Sequence, residues 1–99
     1  MSKQISAAEF KAKVLESKEP VFVDFYADWC GPCRMLGPIM DQIGQTHKVV
    51  KVNVDENGEL ASTYGIMSIP CVILFRGGKE AGRSIGLVPK EQITKLLGE

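Results

Sequence analysis

A chain of 99 residues with 44% apolar and 24% charged side chains has room for one folded domain and is too hydrophobic to remain disordered. Its 12 basic residues balance 12 acidic ones with no block of like charge, so neither nucleic acid nor an anionic membrane surface has a footprint. The longest strictly apolar run, Cys71-Val72-Ile73-Leu74-Phe75, is far short of the ~20 residues that span a bilayer, and Met1–Ser6 lacks the apolar stretch of a signal peptide, which points to the cytoplasm.

Lys3–Ile5 is a candidate short edge strand. Ser6-Ala7-Ala8-Glu9 has the form of a capping box, and Ala7, Phe10 and Val14 recur at helical spacing. A helix is therefore expected from Ala7 to about Ser17, ended before Pro20. Val21–Ala27 is apolar on both faces except for Asp24, as in a strand covered on both sides. After Cys30-Gly31-Pro32-Cys33 come Leu36, Ile39, Met40 and Ile43, one buried face of a helix. Pro38 falls inside this helix and should kink it, and Gly44 with the polar run Gln45–Lys48 should end it.

Val50, Val52 and Val54 alternate with Lys51 and Asn53 and mark a strand. A short helix is expected over Glu59–Tyr64, broken by Gly65. Cys71–Arg76 reads as a buried strand, Gly77-Gly78 as a hairpin turn, and Lys79–Ile85 as the returning antiparallel strand. Pro89 suits the first position of a last helix striped by Ile93, Leu96 and Leu97. The order (β)αβαβαββα describes an α/β fold: a mixed sheet of four main strands, plus the short edge strand, flanked by four helices.

The chemistry lies in Cys30 and Cys33. Three cysteines are too few, and odd in number, for a disulfide framework, and in a reducing compartment a close pair is more often catalytic or metal-binding than structural. The pair sits where a buried strand ends and a helix begins. Unpaired N–H groups and the positive dipole end stabilise a thiolate at Cys30, and Cys33, one turn on, can donate to it. Pro32 presets the first turn. Such settings hold thiols at roughly 3.5–7.5 and make the thiolate a nucleophile. The implied reaction is thiol–disulfide exchange, with Cys30 the exposed attacker and Cys33 the shielded resolver. Zinc would want two more ligands, and Cys71 and His47 are not a spaced pair. A structural disulfide of so short a ring would constrain the unfolded chain only modestly. His47, in a polar turn, is read as a surface residue.

Ala27-Asp28-Trp29-Cys30-Gly31-Pro32-Cys33-Arg34 resembles the active-site segment of the thioredoxin family. The resemblance runs from Val21 through Pro38, and resumes at Lys51–Asp55, Tyr64–Pro70 and Gly77–Gly86, nearly the whole chain. It implies a single thioredoxin domain over residues 1–99. It also implies a protein-disulfide reductase that binds no cofactor and is recharged by thioredoxin reductase and NADPH. A monomer acting on disulfide-containing proteins is expected. Asp24 matches the family's buried aspartate, a proton acceptor for Cys33. From the residues alone, a satisfied structural Asp is an equal reading. Lys51 matches the lysine beside that aspartate, against a solvated strand lysine. Pro70 matches the family's cis-proline, so Ile69 would offer backbone groups to an extended substrate, with Trp29, Gly31, Pro32, Ile85 and Gly86 completing a docking patch. Ile85 and Gly86 read otherwise as core and turn.

Several positions depart from the family pattern. Tyr26 stands where many members carry tryptophan, and a packing change with little loss of function is expected. Arg34 replaces a common lysine, Ser68 a common glycine, and the segments around Lys3 and from Pro38 to Asp55 are shortened. Cys71 stands where threonine is common. It reads first as a small buried filler and alternatively as a third, regulatory thiol. Two other functional classes remain: a glutaredoxin-like or partner-dedicated reductant, and a non-catalytic interaction module on the same scaffold.

Overall fold

The computed structural model describes residues 3–98; Met1, Ser2 and Glu99, which complete the expected domain and carry part of the leader argument, lie outside the described residues. Strand β1 (Lys3–Gln4) leads into helix α1 (Ala7–Phe10), whose start is closed by the Ser6 N–H donating to Glu9 Oε1 at 3.1 Å. The helix then widens into a π-helical stretch, Lys11–Leu15, in which the Glu16 N–H donates to the Lys11 carbonyl, five residues back. The helical segment thus ends at Leu15 and not at Ser17. The wider turn keeps Phe10 and Val14 both buried beneath the sheet.

Strand β2 (Val21–Tyr26) is buried at every position, as a doubly covered central strand must be. Helix α2 (Gly31–Ile43) follows and buries Cys33, Leu36, Met40 and Ile43; Pro38 is contained within it. Strand β3 (Lys48–Asn53) begins two residues before the valine alternation and ends before Val54. Its limits are set by pairing with β2, from Val21 against Lys48 to Tyr26 against Asn53, a constraint invisible to local periodicity. Helix α3 (Gly58–Thr63), strands β4 (Cys71–Arg76) and β5 (Lys79–Ile85) and helix α4 (Lys90–Thr94, tightening to a 3₁₀ turn over Lys95–Leu97) complete the chain. Pro89 precedes α4 as its cap, in extended backbone at ψ 152°, one position earlier than expected.

The sheet order is β1-β3-β2-β4-β5, with β1, β3 and β2 parallel and β4 and β5 antiparallel. Alternate side chains of β2 divide the core. Val21, Val23 and Phe25 join Phe10, Val14, Ile73 and Phe75 on the face covered by α1 and α3, where Tyr64 packs edge-on against Phe75 at 5.1 Å. Phe22 joins Leu36, Met40, Ile43 and Ile93 on the face covered by α2 and α4. Asp24 and Tyr26 project to this second face.

The hairpin turn has φ of +61° at Gly77 and +81° at Gly78, the left-handed pair that a two-residue turn between twisted strands requires. A Cβ on Gly77 would meet open space, whereas one on Gly78 would lie 2.8 Å from the Leu15 carbonyl oxygen. Gly77→Ala should therefore cost about 1–2 kcal/mol from backbone strain alone. Gly78→Ala should cost measurably more, because the turn must also move off the end of the π-helical stretch at Leu15; equal midpoint shifts in urea unfolding of the two variants would contradict this.

Candidate active site

Strands β2 and β3 are parallel and end side by side, and β4 begins at the same edge. The loops that follow β2 and β3, and the one that precedes β4, therefore converge on one edge of the sheet. Cys30 caps the N-terminus of α2, in extended backbone, and is disulfide-bonded to Cys33 with a Cα separation of 5.2 Å. The Cys33 N–H, one of the helix's unpaired donors, points at Cys30 Sγ from 3.2 Å. Gly31 and Pro32 form the first turn; Pro32 has no N–H to leave unpaired.

Exposure does not separate the two cysteines: each is 4% exposed, and both pack with Tyr26, Ala27, Val54 and Ile69. The expectation of an exposed Cys30 is corrected here, since Ile69 folds over it, with its carbonyl oxygen 3.9 Å from Cys30 Sγ. Their settings separate them instead. Cys30 faces the helix terminus and the Ile69 loop, while Cys33 lines a cleft of about 260 Å³ with Tyr26, Asp28, Arg34 and Lys51.

The Ile69–Pro70 bond is cis. Pro70 is itself buried; its carbonyl accepts the Gly86 N–H at 2.8 Å, which ties the β5 end to this loop. Gly86 has φ +91°, which glycine adopts without strain. Around this knot the surface is apolar: Trp29 is 69% and Ile85 56% exposed, so Ile85 is not core. Met67 and Leu87, also exposed and flanking Ile69 and Gly86, extend the same surface. Sequence reasoning missed both, because an exposed apolar residue in a loop has no periodicity to mark it. It missed Asp55 too, whose Oδ2 accepts from Trp29 Nε1 at 2.8 Å and fixes the ring's orientation. The parallel ending of β2 and β3 is what brings them together.

These features correspond to a known family. The thioredoxin family model matches residues 1–99. The chain is 49% identical over 98 residues to thioredoxin 1 of Nostoc sp., covering 95% of this chain and 92% of the relative. It is 46% identical over 103 residues to thioredoxin of Rickettsia felis, covering 100% and 98%. A chloroplastic relative, thioredoxin M4 of Arabidopsis thaliana, is 46% identical over 97 residues, 94% of this chain and 50% of that one. The chain belongs to the thioredoxin family. It is a dithiol–disulfide oxidoreductase, and Cys30 and Cys33 are its redox pair.

Asp24 carries the site's electrostatics. It is 1% exposed, and among the described residues neither carboxylate oxygen has a hydrogen-bond partner. Burial pushes its pKa up to about 7, and the Lys51 ammonium only partly offsets this. Asp24 and Lys51 are register partners on β2 and β3. The Lys51 Nζ lies over the Tyr26 ring, 4.2 Å from its centroid. Arg34 donates through Nη1 to the Asp28 carbonyl at 3.0 Å, across the cleft mouth.

Cys71 belongs to the opposite face of β4, among Phe10, Phe25, Ile73 and Phe75, and is 1% exposed. Burial pushes its thiol up, and the nearby Arg83 guanidinium draws it back in part. His47 bonds to Thr46 Oγ1 at 2.9 Å and sets its ring edge-on to Phe22, far from the cysteines along β2. Among the described residues no three His, Cys, Asp or Glu side chains gather as metal ligands, and no helix is long and apolar enough to cross a membrane.

Between pH 3.8 and about 7, the folded protein holds a proton on Asp24 that the unfolded chain has released. Stability therefore falls as pH rises through that window and levels off above it. Asp24→Asn removes this loss and should gain about 4 kcal/mol over the wild type at pH 8, the gain shrinking to little at pH 4. Urea unfolding at the two pH values checks both the sign and the window. In the native protein Cys71 should resist a maleimide reagent that modifies it fully in denaturant; mass spectrometry of the labelled peptides reads this directly.

Proposed function

We propose that this oxidoreductase reduces disulfides in protein substrates, with Cys30 as the attacking and Cys33 as the resolving thiol. The observation that carries this assignment is the Cys33 N–H aimed at Cys30 Sγ at the head of α2, a donor placed to stabilise negative charge on that sulfur. The Cys30 thiolate attacks one substrate sulfur; the substrate S–S bond breaks, and the first substrate thiolate leaves and takes up a proton. Cys33 gives its proton to Asp24 and attacks Cys30 Sγ, and the second substrate thiolate leaves. Two electrons have passed to the substrate, and the Cys30–Cys33 disulfide remains. A carboxylate that changes protonation near neutral pH, on the face covered by α2, suits the role of acceptor.

Trp29, Gly31, Pro32, Ile69, Ile85 and Gly86, with Met67 and Leu87 added, form the surface on which the substrate lies, and the Ile69 backbone pairs with it as an added strand. Pro70 supports that loop from beneath. Lys51 is the charge that adjusts Asp24. Thioredoxin reductase returns two electrons from NADPH to the disulfide. The whole chain acts as one thioredoxin domain, a monomer in the cytoplasm, where a reducing pool suits a protein with a catalytic pair and one buried thiol.

The test is turnover of a protein disulfide such as insulin with NADPH and a bacterial thioredoxin reductase. Wild type should turn over, and Cys30→Ser and Cys33→Ser should each lose activity by at least a thousandfold. Cys33→Ser should accumulate a mixed disulfide through Cys30; stable trapping through Cys33 in Cys30→Ser would reverse the assigned roles.

A further inference from the structure

A buried carboxylate with no hydrogen-bond partner among the described residues stands beside a lysine, yet the lysine does not pair with it. Asp24 and Lys51 share a register position and a face of the sheet. No ion pair within 4.0 Å joins them among the described residues. The Lys51 ammonium is taken up by the face of the Tyr26 ring, 4.2 Å from its centroid, in the cleft that Cys33 also lines. An aromatic face carries negative charge density and attracts a cation without neutralising it. Tyr26 therefore competes with Asp24 for the same ammonium, and in this structure Tyr26 holds it.

We propose that Tyr26 is a positioning residue for the proton step: its ring holds the Lys51 ammonium on the cleft side, off the Asp24 carboxylate, and so leaves Asp24 able to keep a proton at neutral pH. The inference rests on the reading of Asp24 as acceptor for Cys33. An ammonium released from the ring, on the short tether from its register position, would move to the unpartnered carboxylate and stabilise its charged form. Asp24 would then give up its proton at lower pH and become a poorer acceptor.

The other groups around Asp24 leave this control with Lys51. From α2 come Cys33 and Arg34, and from the turn after β2 comes Asp28, all lining the cleft. Strand β4 sets Val72 beside Asp24 and brings the Cys71 thiol within its field. Strand β2 itself brings the Tyr26 phenol, which burial pushes up first of all, with Asp28, Glu56 and Asp24 adding to the rise. Among the described residues Lys51 is the one charge that draws the Asp24 pKa down.

Replacing Tyr26 with phenylalanine, and then with phenylalanines bearing two, three and five ring fluorines, empties the face of the ring of negative charge density while nearly preserving its shape. The Asp24 midpoint is read from the carbon-13 chemical shift of its carboxyl group across a pH titration of the oxidised protein. Tyr26→Phe should stay near the wild type. Added fluorines should lower the midpoint stepwise, by about one unit for the pentafluorinated ring, a tenfold weaker hold on the proton. In a Lys51→Met background the same series should leave the midpoint unmoved. A midpoint that holds or rises with fluorination, or that falls equally without Lys51, overturns the proposal. Insulin turnover against pH, measured on the same variants, separates this inference from the one beneath it. If the Asp24 midpoint moves and the turnover profile does not follow, the acceptor role of Asp24 fails while the positioning by Tyr26 stands.

Discussion

The rest of the site depends on the meeting of an open helix terminus with a sulfur atom. The first N–H groups of α2 have no carbonyl to bond within the helix, and the chain places Cys30 Sγ in front of one of them at 3.2 Å. This placement follows from β2. A strand buried on both faces has to leave the sheet at its end, and a helix that begins at once points its terminus back toward the strand's last residues. The parallel β3 ends at the same edge and delivers Asp55 to Trp29, and the antiparallel β4 starts there and delivers Ile69 to Cys30. The sheet is thus the device that gathers the cysteine pair, an exposed apolar surface and a buried carboxyl from segments distant in sequence.

The same edge is where stability is lost. A carboxyl without a hydrogen-bond partner among the described residues, on a face that otherwise holds Phe22, Leu36, Met40 and Ile43, is carried only because a continuous apolar core surrounds it. The desolvation that weakens the fold once Asp24 ionises is also what raises its pKa to about 7, into the range in which the proposed acceptor of a thiol proton works. Stability and chemistry therefore pull on one atom group in opposite directions. The Lys51–Tyr26 contact bears on the balance, since an ammonium paired directly with Asp24 would recover stability at the expense of the proton step.

Much of this was readable from short stretches of sequence, because the physics involved was local. The capping box at Ser6 and Glu9, the glycine pair at the hairpin, the unbroken apolar run of β4 and the amphipathic face of α2 each act within a few residues. Where the reading went astray, the deciding partner lay far along the chain. The first helix ends early because its last turn widens beneath the sheet, and β3 takes its limits from β2. Cys30 looked exposed from its place at a helix start, but Ile69, 39 residues on, closes over it.

The sequence by itself determined the redox pair, the order of the elements and the identity of the one acidic residue in a strand with no solvent-facing side, because spacing, backbone restriction and burial patterns are properties of neighbouring residues. The tertiary structure alone decided which surfaces meet: Trp29 with Asp55, Ile69 with Cys30, and Lys51 with the ring of Tyr26 in preference to Asp24. Each of these is a contact across strands or loops, and its energy depends on distances that only the assembled sheet sets.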